Sequence, residues 1–152
     1  MSALGVKWQI LPYFLKVKIM QQEFSWPVRV YYEDTDAGGI VFYANYLKFF
    51  ERARTEWLRA AGINQQQMTD AHALMFVVKA SALEYHAPAK LDDELKITVI
   101  IEKLGRASVH FVQQAWCGER LLVTGKIKVG CVGALSLRPS AIPDQIFDLI
   151  AA

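Results

Sequence analysis

The chain has 152 residues, of which 53% are apolar and 21% are charged. This length fits one domain with a single core, and the composition excludes intrinsic disorder. Three of the 17 basic residues, Lys7, Lys16 and Lys18, lie in the first 19 residues, which contain no acidic residue, so the remaining 14 are offset by 15 acidic residues. Because the body of the chain has no basic patch or stripe, nucleic acid is not expected as a partner.

The first 19 residues, MSALGVKWQILPYFLKVKI, differ in character from the rest of the chain. Pro12 interrupts their apolar run, and lysines stand where a secretory signal needs a small-residue cleavage site. The segment is also too short to cross a bilayer. We predict a tail over residues 1–19, with a membrane-surface segment as the alternative, followed by one domain over residues 20–152.

The two cysteines, Cys117 and Cys131, lie in apolar stretches typical of strands. A chain that can build its own core seldom depends on a disulfide, so both residues are predicted to be buried thiols. Free thiols favour a reducing compartment, and we expect a cytoplasmic location.

The first regular elements are a strand and a long helix. Residues 28–32 alternate and are rich in β-forming residues, which predicts a strand. From Tyr43 to Ala61, apolar residues recur at helical spacing opposite a charged face, which predicts an amphipathic helix of about five turns. Gly62 is expected to end it in a positive-φ conformation. The predicted apolar face consists of Tyr46, Leu47, Phe50, Ala53, Trp57, Leu58 and Ala61.

Four β-rich segments follow a polar stretch over residues 64–72, and their short connections favour antiparallel hairpins. A short last helix is predicted from Pro143. One long helix covering one face of such a sheet gives an α+β domain, and an open sheet edge invites pairing with another copy of the chain. The four segments span residues 75–86, 94–104, 107–116 and 121–132.

The residues between the first strand and the long helix form the candidate reaction site. Asp34, Asp36, Gly38 and Gly39 directly precede the helix N-terminus. Unpaired N–H groups at that end can stabilise a carbonyl oxygen that takes on negative charge, and a carboxylate can act as nucleophile or general base. The pattern therefore favours acyl chemistry. The alternative is that an aspartate only caps the helix and the glycines only turn the chain.

Several other chemistries lack their sequence motifs. The chain has no G-x-S-x-G turn, no phosphate-binding loop of the G-x-x-x-x-G-K-[ST] type and no G-x-G-x-x-G fingerprint. The three histidines, His72, His86 and His110, do not have the spacing of zinc ligands, so no metal site is expected.

The segment from Asp34 to Tyr46 has the pattern D-x-D-x-x-G-x-V-x-x-x-x-Y. In this segment and in the helix after it, the chain resembles the 4-hydroxybenzoyl-CoA thioesterase family. Within that family the chain is most similar to the Tol–Pal-associated acyl-CoA thioesterases of the YbgC type, over roughly residues 24–143. The resemblance implies a hotdog fold, in which an antiparallel sheet wraps around the long helix. It also implies dimers, often assembled into tetramers, and hydrolysis of acyl thioesters without a metal or organic cofactor.

The resemblance also assigns roles to residues. The second Asp of the D-T-D triplet is the catalytic carboxylate of the family, which falls on Asp36. The residue whose backbone N–H points at the thioester carbonyl falls on Tyr43. Close relatives carry His at that position, and because Tyr is a poor base at neutral pH, an imidazole-assisted route is not expected. The expected substrate-binding residues are Gly38, Gly39, Val41, Phe42 and Arg106, with Lys90 and Arg138 as further candidates for the coenzyme A phosphates.

The sequence therefore predicts a cytoplasmic acyl-CoA thioesterase that acts as a homo-oligomer, with acyl carrier protein as a further candidate partner. One alternative is a binding scaffold for acyl thioesters, linked to the cell envelope, with little turnover. A dehydratase of the same fold is disfavoured because it needs a His and acid pair, and the three histidines lie outside the motif.

Overall fold

A computed structural model of the chain describes residues 24–151, and the predicted tail over residues 1–19 lies outside them. The strands in this range are β1 (Ser25–Arg29), β2 (Leu74–Tyr85), β3 (Glu94–Thr98), β4 (Ile100–Leu104), β5 (Ser108–Cys117) and β6 (Arg120–Gly133). The α-helices are α1 (Tyr46–Ala60), α2 (Gln65–His72) and α3 (Asp144–Ala151).

The strands form one antiparallel sheet in the order β1-β3-β5-β6-β2, with β4 also paired to β5. Strand β5 is long enough to pair with β3 at one end, where Ile97 faces Ala115, and with β4 at the other, where Ile101 faces Phe111. Strand β2 pairs with β6 along one side and lies at the edge of the described sheet. One sheet with a long helix against it is the expected α+β hotdog architecture.

Helix α1 packs on the sheet through its apolar face. Phe49, Phe50 and Ala53 are fully buried, and the ring of Trp57 meets the ring of Phe111 edge-on, with centroids 5.6 Å apart. Gly125 of β6 makes room for this packing, because a Cβ there would lie 2.5 Å from Cε2 of Phe50. The helix axis is therefore held against β5 and β6.

The predicted long helix is confirmed in extent but begins differently. Residues 43–45 form a single 3₁₀ turn that leads directly into α1. At the other end Gly62 has φ of +88°, as expected of a residue that ends a helix. Leu47 departs from the prediction, since it is 38% exposed, and Phe49 takes its place in the core.

The structure corrects three predicted elements. The first strand spans Ser25–Arg29 instead of residues 28–32, because the chain turns into a 3₁₀ helix at Tyr32–Asp34. The predicted strand over residues 94–104 is interrupted at Val99 and becomes β3 and β4. The polar stretch before β2 contains helix α2, whose N-terminus is capped by the Asn64 side chain accepting a hydrogen bond from the N–H of Gln67.

Polar groups also enter the core. Gln113 of β5 is fully buried and Arg54 of α1 is 9% exposed, and they are joined by a 2.9 Å hydrogen bond from Nη1 of Arg54 to Oε1 of Gln113. The burial of Arg54 was not predicted from the sequence, although Phe50, Trp57 and Leu58 lie at helical spacing from it. Cys117 and Cys131 are both free, as predicted, and Cys131 is buried. The predicted burial of Cys117 is wrong, since this residue, at the end of β5, is partly exposed.

Candidate active site

The loop between β1 and α1 is held in place by Asp34. This carboxylate is buried, with 4% exposure. Its Oδ2 accepts a 2.8 Å hydrogen bond from the N–H of Tyr31, and its Oδ1 accepts a 2.8 Å bond from Nδ2 of Asn45, which lies at the start of α1. Its carbonyl oxygen accepts from the N–H of Phe42 at 2.9 Å. Asp34 is therefore committed to structure and joins the loop to the helix start.

Asp36 has a different environment, although only one residue separates it from Asp34. It is exposed, and its Oδ1 accepts a 2.8 Å hydrogen bond from the N–H of Gly38. Its backbone N–H donates to the carbonyl of Ile40 at 2.8 Å. No protein donor within residues 24–151 reaches Oδ2, so one carboxylate oxygen of Asp36 is available for chemistry.

The two glycines form the turn that presents this carboxylate. The N–H of Gly39 donates to the carbonyl of Asp36 at 3.1 Å, and Gly39 has φ of +81°, a conformation that other residues adopt with strain. At Gly38 a Cβ would lie 3.2 Å from Oδ1 of Asp36. Glycine at both positions thus keeps the turn tight and the Asp36 carboxylate accessible.

Tyr43 lies at the first position of the 3₁₀ turn that begins the helix. The first N–H groups of a helix have no intrahelical partner, and no protein acceptor for the N–H of Tyr43 is found within residues 24–151. The carbonyl of Tyr43 accepts a 2.7 Å hydrogen bond from the hydroxyl of Tyr85, at the end of β2. This bond joins the helix start to the sheet.

A second aromatic residue anchors the same end of the helix. Tyr46 is 2% exposed, and its ring meets that of Tyr85 edge-on with centroids 5.9 Å apart. Its hydroxyl accepts a hydrogen bond from the N–H of Ala89 at 3.3 Å. Burial raises the pKa of Tyr46. The anchoring Tyr85 was not assigned a role from the sequence, where it lay near the end of the β-rich segment predicted over residues 75–86.

The predicted site residues are only partly brought together. The loop carries Asp36, Gly38, Gly39, Val41, Phe42 and Tyr43. Val41 is buried in the core, whereas Phe42 is 47% exposed and Tyr43 is 65% exposed. Their rings lie next to each other with centroids 4.7 Å apart. An exposed aromatic pair therefore borders the Asp36 turn.

The predicted phosphate-binding cations lie at two ends of the sheet. Lys90 is beside the site, because Ile40 forms a β-bridge with it. Arg106 lies in the turn between β4 and β5, where its carbonyl accepts from the N–H of Ile142. On β6, Val123 pairs with Tyr85, which is bonded to Tyr43 at the site, and Gly130 pairs with the first residue of β5, close to Arg106. Val123 and Gly130 are seven residues apart along β6, which corresponds to roughly 23 Å at 3.3 Å per residue. Within one subunit, Arg106 is thus remote from Asp36.

Neither a metal site nor a membrane span is found in the part of the chain that the structure describes. Between residues 24 and 151, no group of three or more His, Cys, Asp or Glu side chains is placed to hold a metal ion. None of the helices in that range has the length and apolar character of a membrane span.

Comparison with known proteins gives concordant matches. Residues 30–149 match the sequence model of the Thioesterase-like superfamily. The acyl-CoA thioesterase YbgC of Haemophilus influenzae is 43% identical over 128 residues, which cover 84% of this chain and 94% of that protein. The acyl-CoA thioester hydrolase YbgC of Escherichia coli O6:H1 is 46% identical over 124 residues, covering 81% and 92%. The crystal structure of a probable thioesterase from Bartonella henselae superposes with a TM-score of 0.75 at 34% identity, covering 78% of this chain and 98% of that one.

Proposed function

Because the chain belongs to the thioesterase-like superfamily, as predicted from its motif, we propose that it hydrolyses acyl-CoA thioesters with Asp36 as the reacting carboxylate. The chain is a thioester hydrolase, and two relatives that are 43% and 46% identical to it over the aligned residues are named for acyl-CoA. The observation that carries the choice of residue is the contrast between two aspartates. Both oxygens of Asp34 accept bonds within the protein, whereas Oδ2 of Asp36 has no such donor within residues 24–151.

Hydrolysis needs an oxygen that attacks the thioester carbonyl carbon and donors that stabilise the resulting oxyanion. Oδ2 of Asp36 either attacks that carbon directly, giving a mixed anhydride that water then cleaves, or removes a proton from an attacking water. In both routes the carbon–sulfur bond breaks and coenzyme A leaves as its thiol. The products are the free thiol and a carboxylic acid.

The oxyanion is stabilised by the backbone N–H of Tyr43 at the positive end of the helix. This assignment is supported by the lack of a protein acceptor for that N–H within residues 24–151. The bond from Tyr85 to the carbonyl of Tyr43 fixes the orientation of the helix start. One well-placed donor of this kind contributes about 3 kcal/mol to transition-state stabilisation in known oxyanion holes. The phenol of Tyr43 is not required as a base.

A second copy of the chain completes the site. Strand β2 is an edge of the described sheet, and its residue Val78 is 53% exposed. Antiparallel pairing of two β2 edges would close the sheet. Such pairing places Arg106 of the partner subunit at the same end of the combined sheet as Asp36, where its guanidinium can bind a coenzyme A phosphate. Gly38, Gly39 and Phe42 would then contact the acyl thioester.

The pairing is tested by sedimentation velocity of the wild type and Val78→Asp. The carboxylate introduced by Val78→Asp would lose its hydration when two β2 edges pair, so this variant should shift towards the monomer. Leu135→Asp is the matched control, since Leu135 is 96% exposed in the segment after β6. A monomeric wild type, or a Val78→Asp protein that remains as associated as the control, would contradict this arrangement.

The cellular setting follows from the same proposal. We place the enzyme in the cytoplasm, where acyl-CoA is available and the free thiols Cys117 and Cys131 remain reduced. The resemblance of the motif to that of the Tol–Pal-associated thioesterases is the basis on which we propose an envelope-linked role, with acyl carrier protein as a second carrier of substrate. Higher assembly into a tetramer is part of the proposal and would be seen in the same sedimentation experiment.

Thiol release from short, long and aromatic acyl-CoAs tests the proposed function. The account predicts saturable release of coenzyme A from at least one class, and the panel identifies the preferred acyl group. Binding of acyl-CoA or acyl carrier protein without thiol release from any substrate would replace the enzyme by the envelope-linked scaffold. Loss of the conjugated absorbance of an enoyl thioester would instead indicate hydration chemistry.

A further inference from the structure

A cavity of about 190 Å³ lies between α1, the sheet and α3. None of the residues of the Asp36 loop lines it, so it is separate from the proposed catalytic site. Its wall is apolar on the side of the sheet and polar on the side of α1. The cavity also reaches Val78, at the β2 edge that is proposed to pair with a second copy of the chain. The lining residues that bear on its chemistry are Glu51, Arg54, Phe76, Val109 and Phe111.

The unusual feature of this α1 cavity is the charge on its wall. Arg54 is 9% exposed, and its Cζ lies 5.9 Å from the centroid of the Phe111 ring. Burial lowers the pKa of Arg54 to about 10, which leaves the guanidinium charged at neutral pH. Arg54 is in none of the ion pairs formed within residues 24–151, which join Arg29 to Glu94, Arg59 to Glu56 and Lys126 to Glu102.

The orientation of the guanidinium is fixed by Gln113. Nε2 of Gln113 donates to the carbonyls of Phe50 at 3.1 Å and Thr98 at 3.4 Å, so its Oε1 is the atom that faces Arg54. A guanidinium has five N–H donors, and the bond to Gln113 uses one of them. Arg54 lines the cavity, and no other hydrogen bond of its side chain is formed within residues 24–151. The charge of Glu51 acts on the guanidinium and raises its pKa, against the effect of burial, but the two side chains form no ion pair. An anion that enters the cavity can therefore pair with the guanidinium directly.

We propose that the α1 cavity binds a small apolar carboxylic acid, with its carboxylate on Arg54 and its apolar part against Phe76, Val109 and Phe111. The size is suitable, because a dry cavity of about 150 Å³ in another protein accommodates benzene, and this one is about 190 Å³. Benzoate therefore serves as the probe. Binding here does not depend on the role of Asp36, although a carboxylic acid is also a product of thioester hydrolysis.

The charge of Glu51 provides an electrostatic test of carboxylate binding in the α1 cavity. It is the acidic residue among those lining the cavity, it is exposed, and it lies one helical turn before Arg54. Its negative charge opposes an entering carboxylate. Glu51→Gln keeps the shape of the side chain and removes the charge, so it should strengthen benzoate binding by roughly two- to fivefold, the range of a partly exposed charge pair.

The experiment is calorimetric titration of the assembled protein with benzoate and with benzyl alcohol, its uncharged analogue. Wild type should bind benzoate in preference to the alcohol, and Arg54→Met should lose at least tenfold in benzoate affinity, about the effect of a hydrogen bond to a charged group. Asp36→Asn separates the two sites. It should leave the benzoate affinity unchanged, whereas benzoate bound beside Asp36 would bind more tightly when that charge is removed.

Equal affinities for benzoate and benzyl alcohol, or a Glu51→Gln protein that binds benzoate no better than wild type, would overturn the proposal. If Arg54→Met does not fold, the Glu51→Gln comparison still decides. A crystal structure with 4-bromobenzoate locates the ligand directly by the anomalous signal of bromine. Bromine density in the α1 cavity is expected, and density elsewhere would contradict the assignment.

Discussion

Nδ2 of Asn45 donates a 2.8 Å hydrogen bond to Oδ1 of Asp34, and this bond joins the start of the long helix to the loop that carries Asp36. Both side chains are buried, at 6% and 4% exposure. The relative position of the proposed carboxylate and the helix N-terminus thus depends on two residues that take no direct part in the chemistry.

Asn45→Ala should destabilise the protein. It leaves Oδ1 of Asp34 buried without its donor, which costs about 1–3 kcal/mol of the free energy of unfolding. Turnover should fall as well, because the Asp36 loop is no longer tied to the helix. The denaturation midpoint in urea measures the first effect, with Lys48→Ala on the exposed side of the same helix as control. Equal midpoints for the two variants would contradict the structural role of the bond.

Tyr43→Pro tests the proposed oxyanion donor without removing the helix. Proline lacks a backbone N–H but is favoured at the first helical position. The preceding residue Phe42 has φ of −58° and ψ of 133°, a conformation that proline permits. We expect kcat to fall about 10²- to 10³-fold with the fold retained. Tyr43→Phe is the control and should keep kcat within about twofold of wild type. Equal loss in both variants would assign the effect to the phenol instead.

Two glycines in β6 should respond differently to the same substitution. A Cβ at Gly125 would lie 2.5 Å from the buried ring of Phe50, and one at Gly130 would lie 2.5 Å from the flexible side chain of Lys79. Gly125→Ala should therefore cost roughly 1–3 kcal/mol of stability, whereas Gly130→Ala should stay within about 0.5 kcal/mol of wild type. Thermal unfolding of both variants checks this. Similar losses would mean that α1 is not seated on Gly125 as described.

The two thiols should differ in reactivity. Cys131 is fully buried, and burial raises the pKa of its thiol, so both access and thiolate fraction are reduced. Cys117 is partly exposed. Alkylation of the native protein with iodoacetamide, followed by peptide mass spectrometry, should modify Cys117 first and Cys131 only in denaturant. Equal rates under native conditions would be inconsistent with the position of Cys131 in the sheet.

The parts of the fold that were predicted correctly depend on local pattern. β-rich composition bounded by turn residues predicted β2, β5 and β6 within a few residues, and helical spacing located α1. The break at Val99 was not visible, because β3 and β4 read as one continuous β-rich run and separate only where each pairs with a different part of β5. Helix α2 was missed because its one buried residue, Met68, gives almost no apolar periodicity.

The candidate site was also predicted only as far as local sequence pattern allows. The family resemblance assigned the reacting carboxylate to Asp36, and this assignment stays a prediction. The structural role of Asp34 could not be predicted, since it depends on bonds to Tyr31 and Asn45. The hydrogen-bond partner of Arg54 could not be predicted either. This partner, Gln113, is 59 residues away in the chain and becomes a neighbour only when α1 packs on β5.

We propose that Asp36, and no other carboxylate of its loop, carries the hydrolysis. The direct measurement is kcat for thiol release by Asp36→Asn and by Glu33→Gln, an exposed carboxylate three residues earlier. Asparagine keeps the acceptor for the N–H of Gly38, so the turn should be preserved. We predict a loss of about 10²- to 10⁴-fold for Asp36→Asn, with Glu33→Gln close to wild type. An Asp36→Asn protein that is folded and turns over at the wild-type rate would contradict the account.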